Sequence, residues 1–359
     1  MRRFALSLSI AVATGSLAFL FPSNSTRAET YAGSPVGFVN LPISPSPDGT
    51  TFSLTPISIP LLFPSEIDGE ASGTISAVTA STLSSGDANW TDGALSQAAS
   101  PYYVHVKTGA AAGRAFRITA NDSETLTLDT EGVDLTTLGI TSDTDAYAVI
   151  DGQTLLSLFG TPADGVVGGT QAEYLNQTTD KVLVSASNGA LTSYYYDTSS
   201  GYWKRVGSAI NRNNVPVSPS AGVFYYRIGT TDKALQFVGA VPSEQAQQTL
   251  PDRGASLVAS YFPVDQTLDD MELQVLPDWR KLGDSGVTVQ DADRVIFEAS
   301  SGAVLSAYYD ASAQRWKRQG SSLDLGTKVI PAGAAVLINR YGSGGQTTWT
   351  RGLPYDLNQ

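Results

Sequence analysis

Two stretches of this 359-residue chain decide its fold, because one repeats the other. Residues 180–208 read DKVLVSASNGALTSYYYDTSSGYWKRVGS, and residues 293–321 read DRVIFEASSGAVLSAYYDASAQRWKRQGS. At a constant offset of 113, 16 of these 29 positions are identical without a gap. The same offset relates Arg227 to Arg340 and Gly239 to Gly352. A gapless match at fixed spacing indicates an internal duplication.

Each copy is predicted to form a β-hairpin. In the first copy, a strand over residues 191–196 and a strand over residues 202–206 flank a polar loop. The loop begins with Asp197, or Asp310 in the second copy, whose carboxylate can accept hydrogen bonds from loop N–H groups. Successive strand residues face opposite sides, so at least one tyrosine per hairpin is expected in the core. We therefore predict that residues 180–239 and 293–352 superpose as two β units.

The rest of the chain also has the pattern of strands and turns. Short runs of Val, Ile, Thr, Tyr and Phe are separated by Gly, Asn, Asp and Pro. Residues 102–129 show period-two alternation and predict an antiparallel meander, with His105 on the polar face of its first strand. The best helix signal covers residues 153–159, with Asp151 as a possible cap and Gly160 as the stop.

These patterns predict an all-β protein with two related antiparallel β units. A weaker similarity links residues around Val36 and Pro60 with those around Val238 and Pro263, and its spacing places an insertion of about 90 residues in the first unit. We expect that insertion to be a β-meander or barrel-like module. The predicted division is a signal peptide (1–28), the first strands of unit one (29–65), the inserted module (66–160), the first repeat unit (161–240) and the second repeat unit (241–359).

Composition excludes several functional classes. The chain has 34 acidic and 22 basic residues, a net charge of -12, no cysteine and one histidine, His105. Without cysteine there can be no disulfide framework, thiolate zinc site or iron–sulfur cluster. The acidic balance argues against nucleic-acid binding, which needs clustered Lys and Arg. No cofactor is predicted.

The N-terminus predicts export. Arg2 and Arg3 precede an apolar run over residues 4–21, and a polar stretch ends at Ala28, which is the pattern of a secretory signal peptide. No later run has the length of a membrane span. We expect a protein secreted outside the cell or held on its outer surface, with the periplasm as the alternative.

Several segments carry a resemblance to a known family. They are residues 36–39 (VGFV), 88–91 (ANWT), 113–129 (GRAFRITANDSETLTLD) and 154–159 (TLLSLF), together with the two YYD…WKR hairpins. In these segments the chain resembles a family of secreted β proteins from verrucomicrobial and related bacteria. The resemblance implies a signal peptide and an all-β fold. It implies no catalytic residue or ligand, because no activity is established for that family.

A serine-protease signature is present but incomplete. Gly283-Asp284-Ser285-Gly286 matches the nucleophile segment of chymotrypsin-like proteases, and His105 precedes it in the right order. However, Val287 stands where that family has a further glycine. We interpret the segment as a turn, and predict no serine-hydrolase activity and no catalytic residue.

Acidic clusters provide weaker alternatives. Paired carboxylates could hydrolyse glycosides, and the densest acidic set is Asp265, Asp269, Asp270 and Glu272. Calcium could bind there, at residues 143–145 or at residues 66–70, although none matches the full calcium-loop pattern. Surface charge is the favoured interpretation, and no metal site is predicted.

Aromatic residues offer the best candidate binding surface. Flat rings on a sheet can stack against sugars, and four rings in or near the repeats are candidates: Tyr202, Tyr225, Trp279 and Trp349. The predicted function is that of a non-catalytic structural or interaction protein. Its possible partners are a cell-surface protein or an extracellular polysaccharide. Carbohydrate binding is the alternative function, followed by hydrolysis.

Overall fold

A computed structural model describes residues 35–67, 69–97, 99–185, 190–299 and 302–357. The predicted signal peptide lies outside these residues. Strands account for 42% of the protein and helices for 7%, so the all-β class is confirmed. No helix in the described ranges combines the length and apolar character that a membrane crossing requires.

The chain forms the first strands of one sheet, then another complete sheet, and then the remaining strands of the first. It begins with β1 (Val36–Ile43) and β2 (Ser53–Ile57). It then forms a seven-stranded antiparallel sheet, here called the central module, from β3 (Ser72–Thr74), β4 (Ala77–Val78), β5 (Thr82–Ser84), β6 (Tyr102–Val106), β7 (Ala115–Asn121), β8 (Thr125–Asp129) and β9 (Ala146–Asp151). The strand order is β3-β9-β6-β7-β8-β5-β4. Because β3 and β4 are unpaired edges of this sheet, the module is open, and the barrel-like part of the prediction is wrong.

The first five-stranded sheet is completed after the module. The following elements are β10 (Gln153–Thr154), α1 (Leu155–Phe159), α2 (Gln171–Leu175), β11 (Lys181–Ser185), β12 (Leu191–Asp197), β13 (Tyr202–Lys204), β14 (Pro216–Val217), β15 (Val223–Arg227) and β16 (Lys233–Ala240). The first sheet has the order β13-β12-β11-β15-β2, and β1 pairs with β16 as a separate ribbon. The segments before and after the central module thus belong to the same sheet, because β2, which precedes the module, pairs with β15, which follows it.

The predicted helix is shorter than expected and has a different cap. Gln153 and Thr154 are extended because they pair with β14. The helix begins only at Leu155, where the hydroxyl of Thr154 accepts a hydrogen bond from the backbone N–H of Ser157 at 3.1 Å. It ends at Gly160, as predicted, with a φ of 74° that favours glycine.

The second five-stranded sheet follows. Its region contains β17 (Ala246–Ala259), β18 (Gln266–Thr267), β19 (Arg294–Glu298), β20 (Val304–Asp310), β21 (Arg315–Lys317), β22 (Val329–Ile330) and β23 (Ala335–Arg351). The order is β17-β23-β19-β20-β21. Short 3-10 helices occur at Ala94–Ser96, Leu135–Thr137, Pro162–Asp164 and Leu273–Val275.

The two repeat hairpins have the same strand register. Tyr196 lies opposite Trp203 in the first sheet, as its counterpart Tyr309 lies opposite Trp316 in the second. Both tryptophans are fully buried, each in the hydrophobic core of its own sheet. The two repeated tryptophans are therefore core residues, because they fill equivalent positions in the two hydrophobic cores.

The contacts between the two sheets are reciprocal. The backbone N–H of Ser58 donates to the carbonyl of Gly333 at 2.7 Å, and that of Ala259 donates to the carbonyl of Ser220 at 3.1 Å. Ser220 and Gly333 are related by the repeat offset. Ser58 directly follows β2, and Ala259 is the last residue of the matching strand β17. Reciprocal contacts of this kind are typical of a two-fold arrangement.

The match between the units does not continue to Gly352. Phe237 is buried, but the constant offset pairs it with the exposed Thr350, whereas the inward residue of β23 is Trp349. A glycine-rich irregularity over residues 342–345, opposite a register shift in β17, separates this part of β23 from Arg340. Beyond Arg340, the alternation of buried and exposed residues in β23 is therefore shifted by one residue relative to β16 of the first unit.

The central module also packs against the second sheet. The guanidinium of Arg114, a buried residue, donates to the side chains of Gln247, Thr249 and Thr348 at 2.9–3.2 Å. At Gly113 the two backbones are so close that a Cβ atom would lie 1.7 Å from the carbonyl oxygen of Gln245. Only glycine allows this approach, so the junction is specific to this sequence.

Candidate functional site

A cleft of about 230 Å³ opens between the central module and the first five-stranded sheet. Side chains from β6, β7 and the end of β8 form one wall, and β11, β12 and the segment around β14 form the other. The lining residues are Tyr103, Ala115, Arg117, Asp129, Glu131, Val184, Ser185, Thr192, Tyr194, Val215, Pro216 and Ser218. The lining combines hydroxyl groups, carboxylates, one guanidinium and two phenol rings, which together could bind a polar ligand.

Strand register places three polar side chains in a row on the module wall. Tyr103 lies opposite Arg117 on the neighbouring strand, and Arg117 lies opposite Asp129 on the next. Cross-strand partners project from the same face of a sheet. Glu131 follows β8 in a turn, where its φ is 53°, an uncommon value for a residue other than glycine.

The opposite wall is formed by the first copy of the repeat. Thr192 and Tyr194 lie two residues apart on β12, so they project from one face. Their pairing partners on β11 are Val184 and Val182. Tyr194 is 8% exposed, so most of its ring packs in the core while part of it reaches the cleft.

The charges of the cleft do not cancel. Arg117 and Asp129 form an ion pair, with Nη2 and Oδ2 separated by 3.4 Å, and both side chains are about 40% exposed. Within the described residues, the carboxylate of Glu131 has no ion pair or hydrogen bond. Loss of hydration, reinforced by repulsion from Asp129 and opposed by Arg117, raises the pKa of Glu131. The ionised cleft therefore has one excess negative charge.

Two buried tyrosines present free hydroxyl groups to the cleft. Tyr103 is 3% exposed, and its pKa is raised by burial. Neither its hydroxyl nor that of Tyr194 has a hydrogen-bond partner among the described residues. Both hydroxyl oxygens nevertheless keep some accessible surface. Buried hydroxyls normally have a partner. These two oxygens are thus open to the cleft and available to a ligand.

His105 lies elsewhere, and its predicted position on a polar face is wrong. Its side chain is fully buried, with Nε2 2.9 Å from the hydroxyl of Tyr261 in the second unit. Burial lowers the pKa of His105 to about 4, with Lys107 acting in the same direction and Glu244 opposing it. Both faces of β6 are buried because one packs in the module core and the other against neighbouring units.

The serine signature does not combine with this histidine. Residues 283–286 are exposed and form a turn, in which the Asp284 carboxylate accepts a hydrogen bond from the backbone N–H of Lys281. His105 is enclosed, and its Nε2 is already paired with Tyr261. A triad needs the imidazole to contact the serine hydroxyl, and this arrangement provides no such contact.

Three of the four aromatic candidates are core residues, which corrects the prediction of a ring surface. Tyr225, Trp279 and Trp349 are at most 2% exposed, so their rings cannot stack on a ligand. Tyr225 donates to the Asp180 carboxylate at 2.7 Å, and the indole N–H of Trp349 donates to the carbonyl of Met271 at 2.9 Å. These aromatic side chains stabilise the fold.

Tyr202 is the partly exposed member of the four. Its hydroxyl donates to the carbonyl of Ala209 at 2.9 Å, and the Lys204 ammonium lies 5.3 Å from its ring centre. It does not line the cleft. A ligand at Tyr202 would therefore bind at a different place from a ligand between the two cleft walls.

The acidic sets form no metal site within the described residues. There, no group of three or more His, Asp and Glu side chains is arranged to hold a metal ion. Asp269 approaches Asp270 and Asp324, and its pKa is raised by burial and then by their charges. Asp68, part of another calcium candidate, lies outside the described residues.

The polar residues shared by the repeats hold the fold together. The buried Asp180 carboxylate accepts hydrogen bonds from Tyr225, from Arg227 at 3.2 Å and from the backbone N–H of Ile228 at 2.8 Å. Its counterpart Asp293 accepts from Nε of Arg340 at 3.1 Å. Removal of one partner from such a buried pair is strongly destabilising.

The hairpin loops use a second shared pair. Asp197 accepts hydrogen bonds from Ser199, Ser200 and Lys204. Burial alone would raise the pKa of Asp197, but these hydrogen bonds outweigh it and lower the pKa to about 2. Asp310 has the same relation to Lys317, at 2.7 Å. The repeated YYD…WKR pattern is therefore explained by hairpin structure.

No family model, curated protein or solved structure matches this chain. The resemblance to a family of secreted bacterial β proteins stays a prediction.

The sequence did not identify the cleft. Tyr103 and Tyr194 occur in strand patterns that resemble ordinary core, and their free hydroxyls become visible only when the two walls meet. One signal was available in the repeat: Tyr194 aligns with Ala307 and Thr192 with Leu305. Polar residues at positions where the other copy is apolar indicate a role beyond the shared fold.

Proposed function

We propose that this is an exported, non-catalytic structural or interaction protein that acts outside the cell or on its surface. The enclosed position of His105 carries the non-catalytic part of the proposal, because the single imidazole of the chain is paired with Tyr261 and cannot serve as a general base for an exposed serine. Export is proposed from the N-terminal sequence pattern. The buried ion pairs and hairpin aspartates of the repeats have structural partners as well, which supports the same function.

The two β units are proposed to descend from a duplication. The shared register of their hairpins and the reciprocal hydrogen bonds at Ser58 and Ala259 support this origin. The central module interrupts the first unit and supplies one wall of the cleft. The cleft is the proposed binding place for a partner, either an extracellular polysaccharide or part of a cell-surface protein.

Carbohydrate binding is the second candidate function, and one observation favours it. Two buried tyrosines expose hydroxyls that have no partner among the described residues to a cleft that also contains carboxylate and guanidinium groups. Sugars offer many donors and acceptors to such groups.

Export and the absence of catalysis can be tested together. Fractionation of the native cells followed by N-terminal sequencing is expected to find the protein outside the cytoplasm with cleavage near Ala28. A mature chain that starts at Met1 would contradict export. The purified protein is then incubated with a fluorophosphonate probe. Adduct formation on Ser285 that the substitution His105→Ala abolishes would overturn the non-catalytic function.

A further inference from the structure

We propose that the cleft between the central module and the first sheet binds a sugar unit that carries no negative charge. This inference rests on the proposed binding function and names the ligand class for it. Its basis is the pair of hydroxyls of Tyr103 and Tyr194, which have no hydrogen-bond partner in the described part of the chain and belong to residues more than nine-tenths buried. Because both oxygens reach the cleft, a ligand hydroxyl can replace the solvent that hydrogen-bonds them there.

The internal repeat shows that the fold does not need these polar groups. Tyr194 aligns with Ala307, and Thr192 aligns with Leu305. Both second-copy residues pack into the core of the second sheet, in strands with the same register. A β12 strand without these hydroxyls would thus still form the sheet. Their presence in the first copy is explained by the cleft.

The chemistry of the lining matches a polyhydroxylated ring. Asp129 and Glu131 can accept hydrogen bonds, Arg117 can donate them, and the two tyrosine hydroxyls can do both. The volume of about 230 Å³ lies below the range of about 300–1,000 Å³ that holds drug-sized ligands, which suits a small unit of a longer chain.

The charge of the cleft decides against acidic sugars. Arg117 is paired with Asp129, whereas Glu131 is unpaired among the described residues. A sugar carboxylate or sulfate would meet this excess negative charge in a partly desolvated site, where repulsion is stronger than in water. Neutral sugars and sugars with an amino group avoid this repulsion.

The test is binding of the purified protein to immobilised glycans: cellulose, xylan and chitin as neutral probes, chitosan as the cationic probe and polygalacturonate as the anionic probe. We expect retention on at least one neutral or cationic glycan and none on polygalacturonate. Retention only on polygalacturonate, or on no glycan, would overturn the inference.

Two conservative variants locate the site. Tyr103→Phe and Tyr194→Phe remove only the free hydroxyls, and each is expected to weaken glycan binding about 3- to 10-fold, the effect of one hydrogen bond. The matched control is Tyr195→Phe, because Tyr195 projects from the other face of β12 and packs against Tyr174. Thermal melting should show that all three variants fold. Unchanged binding by both cleft variants would place the sugar elsewhere and overturn the inference.

The same samples separate this inference from the proposed function. Soluble sugar released from a retained glycan would contradict the non-catalytic function, while the Tyr→Phe series would still report whether the sugar binds in the cleft. If no glycan is retained and none is cleaved, the sugar ligand is wrong, and the non-catalytic interaction function keeps its support.

Discussion

The two five-stranded sheets share a hairpin, a buried aspartate–arginine pair and reciprocal contacts, but their neighbours differ. The first sheet faces the central module across an open cleft, and the second is joined to the module by Arg114 and His105. Residues identical in the two copies, such as Trp203 and Trp316, have structural roles. Residues that differ, such as Tyr194 and Ala307, occur where the surroundings differ. Divergence within the repeat is therefore the better guide to function.

Replacement of the repeated tryptophans should have the largest effect. Trp203→Ala and Trp316→Ala are each expected to lower the free energy of unfolding by about 3–5 kcal/mol, because both indoles are fully buried. The indole N–H of Trp203 donates to the carbonyl of Gly160 at 2.9 Å, whereas that of Trp316 has no partner within the described residues. Trp203→Phe should therefore cost about 1 kcal/mol more than Trp316→Phe. Urea denaturation measures the free energies of unfolding of the alanine and phenylalanine variants. If one alanine variant were as stable as the wild-type protein, the two tryptophans would not have equivalent roles.

The buried aspartates should give the next effect, and an unequal one. Asp180→Asn is expected to cost about 3 kcal/mol, because Arg227 would be left in the core without its carboxylate partner. Asp293→Asn should cost less, about 2 kcal/mol, since Arg340 also lies within 4 Å of two other carboxylates, those of Asp252 and Asp278. Urea denaturation of the two variants side by side gives the difference. The reverse order would show that the additional carboxylates do not compensate.

Acid should weaken the junction between the module and the second sheet. The pKa of His105 is about 4 in the folded protein and about 6.5 when unfolded, so between these values the unfolded state binds a proton that the folded state does not. Stability should therefore fall as pH drops from about 6.5 towards 4, with a loss of about 2 kcal/mol from this group at pH 5.

The control for this pH effect is His105→Gln, which cannot titrate. Urea denaturation at pH 8 and pH 5 should show a smaller loss for the variant than for wild type. Hydrogen exchange at pH 5 should locate the loosening near Arg114, before it reaches Val182 in the first sheet. Equal losses in the two proteins would contradict the assignment to His105.

The hairpin ion pairs should give the smallest effect, and the same effect in both copies. Lys204→Met and Lys317→Met are each expected to cost about 1 kcal/mol, because the buried carboxylates of Asp197 and Asp310 lose a charged donor but keep hydrogen bonds from their own loops. The neighbouring Arg205→Met is the matched control, since Arg205 is exposed, and its effect should stay within about 0.5 kcal/mol. Thermal denaturation would reveal any asymmetry between the copies.

Local patterns predicted the hairpins and the meander well, but tertiary contacts decided the rest. Residues 191–196 were predicted as a strand, and β12 covers Leu191–Asp197. Alternation placed His105 on a solvent face, because a period-two pattern cannot show that a second unit covers that face. Packing within the core of the second sheet buried Trp279 and Trp349, which local pattern left as surface candidates. The cleft could not be predicted, because its walls are separated along the chain by more than 50 residues, from Glu131 to Val184.

The strand β6 has a consequence for how this protein can change over evolutionary time. Tyr103 packs with Leu62 and Ala240 of the first unit, and His105, two residues later on the same face, contacts Tyr261 of the second. One strand thus has to fit two surfaces at once. Segments inserted into a host protein are often exchanged or deleted freely, but this one could be replaced only together with both partners. The module and the repeats are therefore expected to be inherited as one unit.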